Sequence, residues 1–590
     1  MITRYSRKTI VVGIIAALLG MASFAYAQQA GDVLFKAMQD ELDRTMSQLV
    51  MENLERPYFV SYTIDDAQQL EVHANLGTLT QSNLNRGRYL SIDLRVGNYS
   101  LDNSNFVSGY SGFGANYAQL PIDNNYDALR NQIYLQTDQV YKDALETISK
   151  KRAYLQTRVI ANRPDDFLKL PTNRIIDKPE EFDLNKAKFE ELAKAATVVF
   201  RDYPDIISSD LKIQGAIANQ YLLNGNGTRA LRGDRIYVFD LSMTGKAADG
   251  EDIFDGDRIV YNSLAAIPSV SDLTAWAKGN ADRMSKLIKA DTLEEYIGPV
   301  VFTADAAGEF FRQLFVRGIS NLPQPTYENE QMAAVIARLG GGGGELAEKL
   351  NRRVLPASFT VYDDPTISKV GNSSVIGGYN VDDAGNTPQK VVLVENGKLV
   401  NLLIGIAPTK KIKDANGHAR GAVSKAITAK PSNLVFESSE KVPYAKLKET
   451  LITLCKDVDV PYGLIVKRLS DPNASNASIA MRLGNMMMRR SGGSGGPDAL
   501  SYPWEIYKVY PDGREEPVRG LQFNNVTIRI LKDILQTDDQ MFVYNYLLND
   551  DSEMPASIVT PSVLIEEMEL KKNEEKIMKP PLLPSPLAGK

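Results

Sequence analysis

The sequence predicts an α+β protein, a mixed α/β N-terminal region with long helices followed by a β-rich C-terminal domain. Three observations carry that expectation. Residues 127–155 repeat apolar positions at helical spacing over many turns. Leu90, Ile92, Leu94 and Val96 alternate with Tyr89, Ser91, Asp93 and Arg95, as a strand with one wet face should. From Pro356 onward strand and turn signals dominate. The chain divides into 1–27, an N-terminal α+β domain at 28–125, a helical insertion at 126–205, a β-meander middle domain at 206–295, and the β-rich domain at 296–590.

The first 27 residues read as a secretory signal peptide. Arg4, Arg7 and Lys8 make a basic start, 9–19 a short apolar core, and Ala25-Tyr26-Ala27 a cleavage site. The mature protein is then expected in the periplasm or secreted, beginning at Gln28. Losing three basic residues takes the formal charge from −6 to −9, and no basic stripe points to nucleic acid. No later apolar run reaches the roughly 18 residues of a membrane span. The single cysteine, Cys455, excludes an internal disulfide and shares a helical face with Leu447, Leu451 and Leu454, the pattern of a buried small hydrophobe.

Taken in order, 32–54 reads as an amphipathic helix, followed by strands at 58–64, 70–76 and 89–96. The Asn-, Ser-, Gly- and Tyr-rich stretch 98–125 reads as a long surface loop whose Phe106, Tyr110, Phe113 and Tyr117 either rim a cleft or fasten the loop. A Pro- and charge-rich connection leads to a helix at 184–200. A meander from 210 to 261 follows, with Asn224-Gly-Asn-Gly227 as a hairpin turn. The acidic run 249–257 lacks the register of a calcium loop and reads as a solvated turn. A helix at 271–290 precedes the central segment 298–317. There Pro299 to Phe302 make an apolar strand, Asp305 is a plausible N-cap, and Phe310, Phe311, Leu314 and Phe315 recur at helical spacing. Gly340 to Gly344 lie between helical flanks at 331–339 and 345–353 and read as a flexible hinge or a poorly ordered tip, since the preceding strand and the Gly-Lys-Ser/Thr of a phosphate loop are both missing. The stretch from Met486 to Gly496 reads as a mobile loop.

Several C-terminal motifs carry a family resemblance. They are Asp363-Asp364-Pro365-Thr366, Tyr379-Asn-Val-Asp-Asp-Ala-Gly385, Val391-Val-Leu-Val-Glu-Asn-Gly397, Ser562-Val-Leu-Ile-Glu-Glu-Met-Glu569, and the proline tail from Lys579 to Pro586. In order and spacing they resemble the TldD/PmbA family, the modulator-of-gyrase and TldD-TldE metalloprotease-like proteins. The segment 298–317 is similar to that family's active-site helix. Zinc-bearing members carry His-Glu-x-x-x-His there, and this chain has Arg312, Gln313 and Arg317. The family's third ligand, a cysteine near the C-terminus, has no counterpart in 548–561.

The resemblance therefore implies a chain with no metal and no cofactor of its own, and no catalytic residues at the motif positions. Guanidinium repels a cation and glutamine lacks the basicity of the glutamate. His73 and His418 are the only histidines and stand too far apart for a helical pair. His73 reads as a surface or half-buried strand residue beside Glu71 and His418 as a loop residue placed to line a cleft; a Ser-His-Asp arrangement stays open through either, though no nucleophile elbow is present. The expectation is a non-catalytic, PmbA/TldE-like subunit beside a zinc-bearing TldD-like partner, handling unfolded peptides. The alternatives are a homodimeric periplasmic peptide- or ligand-binding module and a metallopeptidase whose ligands have moved.

Overall fold

The computed structural model describes residues 33–108, 117–158, 162–323, 325–329, 331, 333, 346–410, 412–421, 427–470, 500–548, 554–572 and 586–587. The expected signal peptide, Tyr110, Phe113, the five-glycine run, the Met486–Gly496 stretch and most of the proline tail lie outside the described residues. So does the side chain of Arg317.

Helix α1 (33–48) opens the described chain, and a long hairpin follows, β1 (Pro57–Asn75) and β2 (Thr78–Val96). The strands expected at 58–64 and 70–76 are one strand. Its polar middle hides the continuity: Asp66, on the same face as Ile64 and Leu70, is buried against Arg88 at 2.6 Å and also pairs Arg86 at 3.1 Å. Two hydrophobic clusters thus lie along one face with a charge pair between them.

Within 98–125, expected to be loop, Phe106 is buried against Tyr154 and β3 (Tyr117–Leu120) pairs with β2. Helix α2 (Tyr126–Thr157) starts where the Asn125 side chain accepts from the Ala128 N–H at 3.0 Å. Strand β4 (Arg174–Ile176), helix α3 (Lys186–Thr197) and strands β5 (Ile206–Asn224), β6 (Arg229–Lys246) and β7 (Asp252–Tyr261) follow. The seven strands form one sheet in the order β3-β2-β1-β5-β6-β4, with β7 also on β6. Strands from 28–125 and 206–295 therefore share a single sheet, joined by β1 and β5. Helices α1 and α2 cover one end of its apolar face; α3 and α4 (Val270–Lys289) cover the other.

Strand β8 (Glu295–Phe302) and helix α5 (Asp305–Leu314) open the second half. After them come β9 (Phe359–Asp363), β10 (Val391–Glu395), β11 (Asn433–Ser438), α6 (Tyr444–Asp457), β12 (Gly463–Leu469), β13 (Pro503–Val509) and β14 (Glu515–Arg519). The chain closes with β15 (Ile534–Asp538), β16 (Phe542–Leu547), β17 (Pro555–Thr560) and β18 (Val563–Lys572). The described part of the flank at 345–353 is a single 3-10 turn, not the helix expected there.

These strands make two sheets with α5 between them. One contains β15-β18-β8-β12-β13-β14, the other β10-β9-β11-β17-β16. Phe310 packs on Phe302 of the first at 4.9 Å between ring centroids, and Phe311 stacks on Phe436 of the second at 4.1 Å. Gly308 permits that closeness, since a Cβ there would run into Tyr544 on β16. Helix α6 covers the far face of the first sheet, placing Cys455 beside Leu447 and Leu451, where burial pushes its thiol up to about 11.

Ion pairs hold the halves together. Arg519 reaches Asp249 at 2.6 Å and also pairs Glu251, Arg468 reaches Asp257 at 2.9 Å, and Arg232 reaches Asp383 at 2.8 Å. The acidic run 249–257, expected as a solvated turn, is thus a seam, with its last six residues inside β7. At the same junction burial pushes the Asp65 carboxyl up to about 7, while Gln220 donates to it at 3.1 Å.

Truncating Phe311→Ala should lower the unfolding free energy by about 3–5 kcal/mol, read by urea denaturation, with Phe311→Leu costing much less. Because Asp65 holds its proton in the folded state to about pH 7 and releases it near 4 when unfolded, stability contributed by the neutral carboxyl should fall as pH rises through that window. Asp65→Asn should flatten this slope in denaturation curves taken at pH 5 and pH 8.

Candidate functional site

A cleft of about 840 Å³ opens between the seven-stranded sheet and the α5 layer. Its walls come from β6, β7, α4, α5, β12, β13 and β16, so residues far apart in sequence meet there. Both tryptophans of the chain, Trp276 on α4 and Trp504 on β13, line it, together with Tyr261, Tyr544 and Tyr546.

The polar wall is a network. Asp257 accepts from the Trp276 indole N–H at 2.8 Å and pairs with Arg468 at 2.9 Å. Asp255, wholly buried, pairs with Arg283 at 2.8 Å and Arg468 at 3.5 Å, and Arg258 pairs with Asp240 at 2.8 Å. The Arg468 contacts fix β7 against β12 and set the carboxylates of Asp255 and Asp257 beside fixed positive charge.

Asp305, expected as the N-cap of α5, is instead its first helical residue. Ala304 holds the cap position at φ 49° and ψ −124° with no side-chain bond, a backbone conformation that L residues rarely adopt. Asp305 is solvent-exposed at the cleft wall, yet the surrounding protein raises its carboxyl above the ordinary range, against the pull of Arg468.

One turn on, Glu309 is 2% exposed and pairs with Arg312, whose Nε–H donates to it at 2.5 Å. Gln313 donates to the same carboxylate at 2.6 Å and to Ser501 Oγ at 2.7 Å, and its carbonyl accepts the Ser501 N–H at 2.8 Å. The Arg312 guanidinium lies 5.6 Å from the Tyr546 ring centre. The Tyr546 hydroxyl is buried at the cleft without a hydrogen-bond partner among the described residues, and burial drives its ionisation far above the usual range.

A metal at the position of the resemblance does not fit these residues. Arg312 and Gln313 stand close on α5, but their donors point into a buried carboxylate network, and neither offers a ligand to a cation. Arg317 falls in the 3-10 turn Val316–Gly318. Among the described residues no group of three or more His, Cys, Asp or Glu is placed to hold an ion.

The histidines lie elsewhere. His73 sits on β1 near Asp210 at 3.2 Å and Glu71 at 3.4 Å. His418 is wholly buried outside the cleft, with Nε2 3.1 Å from Asp363 and Nδ1 2.9 Å from the Asn416 carbonyl. Ser432 donates its hydroxyl to the same Asp363 and its N–H at 2.9 Å. The carboxylate stands between serine and histidine, so the hydroxyl is bonded to Asp363 and not to the imidazole that would serve as its general base, and the arrangement is a sealed structural cluster. Phe106 and Tyr117 do not line the cleft.

Sequence reasoning singled out Arg312 and Gln313 but missed Trp276, Trp504, Tyr546, Asp257 and Arg468. The one local signal was the scarcity of tryptophan.

Arg312→Ala should destabilise the protein by about 3–5 kcal/mol by leaving Glu309 buried and poorly compensated, whereas the apolar pair Glu309→Leu/Arg312→Leu should recover most of it. Urea denaturation of the three variants checks this.

Residues 295–485 match the family model for the PmbA/TldA metallopeptidase C-terminal domain. No curated protein sequence matches the chain. Among solved structures, a modulator-of-DNA-gyrase protein from Thermotoga maritima has a TM-score of 0.56 at 13% identity, covering 90% of this chain and 100% of that one. TldE from Thermococcus kodakarensis gives 0.55 at 13%, covering 90% and 99%. A modulator-of-DNA-gyrase protein from Bacteroides thetaiotaomicron gives 0.51 at 14%, covering 91% and 98%. At these identities the structural likeness is one of fold. Residues 295–485 thus match the PmbA/TldA metallopeptidase C-terminal domain, and the fold of those three structures runs through both halves of the chain.

Proposed function

We propose that the chain is a non-catalytic subunit of an exported peptidase complex acting on unfolded peptides, with hydrolysis carried out by a zinc-bearing TldD-like partner. The observation that supports this is the Glu309-Arg312-Gln313 network, which places an internal ion pair where the family resemblance puts metal ligands. Guanidinium stays protonated at any working pH, so this helix supplies neither ligand nor base. Its apolar side remains fully packed between two sheets.

The cleft would then receive an extended peptide. Among the described residues β7 and β16 each end their sheets, and both line the cleft, so an added strand would find unpaired backbone groups and aromatic walls. The basic start and small-residue cleavage site at 1–27 support export to the periplasm. Among the described residues no helix is long and apolar enough to cross a membrane.

A second reading is a homodimeric module that binds peptides without a catalytic sibling. The two tryptophans at the cleft favour keeping it in view, because they give an uncleaved ligand a stacking surface.

Co-expression with a zinc-motif sibling from the same source, followed by affinity purification, should recover a two-chain complex. The purified chain alone, dialysed against zinc, should retain under about a tenth of an equivalent by elemental mass spectrometry. Recovery of the lone chain or its homodimer, together with thermal stabilisation by peptides and no cleavage product, would favour the binding module. Near-stoichiometric zinc would sink both readings.

A further inference from the structure

Away from the cleft, two short segments bring five cations to one concavity of about 550 Å³. Lys349, Arg352 and Arg353 come from one side, Arg529 and Lys532 from the other, and Asp533 is the acid among its lining residues. The backbone beneath is well anchored. The Asn351 N–H donates to the Leu399 carbonyl at 2.7 Å, and the Leu399 N–H returns a bond to Arg352 at 3.0 Å. Arg529 and Lys532 ride the 3-10 segment Ile528–Lys532, whose Ile528 and Leu531 are buried in the core of the second half.

Arg352, Arg353, Arg529 and Lys532 are exposed, with Lys349 half-buried beside them, and among the described residues those four have no carboxylate partner. Elsewhere arginines are commonly held by acids, as with Arg95 on Asp93 and Asp102, Arg235 on Asp183, and Arg519 on Asp249. A chain of formal charge −6 has carboxylates to spare, yet these cations stand together, within range of mutual repulsion at physiological salt. Bringing an anion among them relieves that repulsion.

We infer that this concavity is an oxyanion-binding site, taking a phosphate-type group that bears two or more negative charges. Three of the five cations are arginines, whose planar forks donate to such oxygens in pairs. Every residue that lines it carries a charged group, which suits an ionic head. It is one compact hollow, not the long basic stripe that tracks a nucleic-acid backbone. The same chemistry is offered by a soluble phosphate compound and by a phospholipid headgroup.

The test uses the full chain at low salt. Calorimetry measures binding of inorganic pyrophosphate, and co-sedimentation compares phosphatidylcholine vesicles with and without phosphatidylglycerol. Arg353→Ala/Arg529→Ala should weaken the interaction about tenfold or more. Lys286→Ala/Lys289→Ala, which removes the same charge from the exposed face of α4, should leave it unchanged, and melting curves should overlay. Arg352→Ala/Lys532→Ala serves as a second variant should the first fail to fold. Binding of pyrophosphate alone assigns a soluble ligand, and binding of anionic vesicles alone assigns a headgroup. Absence of both, or equal loss in the α4 control, overturns the inference.

Discussion

Burial of α5 between two sheets is the constraint on which the rest of the second half depends. A helix exposed on one side can change its outer face freely. This one meets Phe302 on one side and Phe436 on the other, and it approaches β16 so closely that Gly308 is required. Every polar group it carries must therefore be satisfied within the layer or open onto the cleft. Glu309 and Arg312 meet that demand through each other, and Gln313 ties them to Ser501 at the end of a neighbouring strand. The position of the helix is set by aromatic packing and its chemistry by three adjacent side chains, so the two vary independently.

The cleft owes its shape to a second kind of contact. Apolar packing defines each half, but the seam between them is largely ionic, through Arg468 to Asp255 and Asp257 and through Arg519 to Asp249 and Glu251. Partly buried pairs of this kind contribute less net free energy than their Coulomb attraction suggests, because desolvation offsets it. What they supply is register. With Trp276 bonded to Asp257, the aromatic wall of α4 is indexed to the same strand that carries the ion pairs.

Much of the fold was legible in the sequence, since helices such as α2 and α4 and strands such as β2 carry their period openly. Two of the failures share one cause, which is that a residue's partner lies far along the chain. Asp66 looked like a break in a strand because Arg88 was not yet beside it. The acids at 249–257 looked solvated because Arg468 and Arg519 lie more than 200 positions away. Residue types at the site were readable on α5, where the motif positions are local. The tryptophans and Tyr546 were not, because only the assembled sheets bring them to one cavity.

His418 shows why residue inventory alone misleads in a chain like this one. Serine, aspartate and histidine do converge, yet the hydroxyl and the imidazole both address Asp363, and all three are sealed from solvent. Nucleophilic chemistry needs the imidazole between the other two and an approach for substrate. Reversing that order turns the same three groups into a clamp that joins β9, the loop before β11 and the segment around His418. A comparable inward pairing operates on α5, where the Arg312 guanidinium meets the buried carboxylate of Glu309. At Asp363 it is the direction of the hydrogen bonds, not the identity of the groups, that makes the cluster structural.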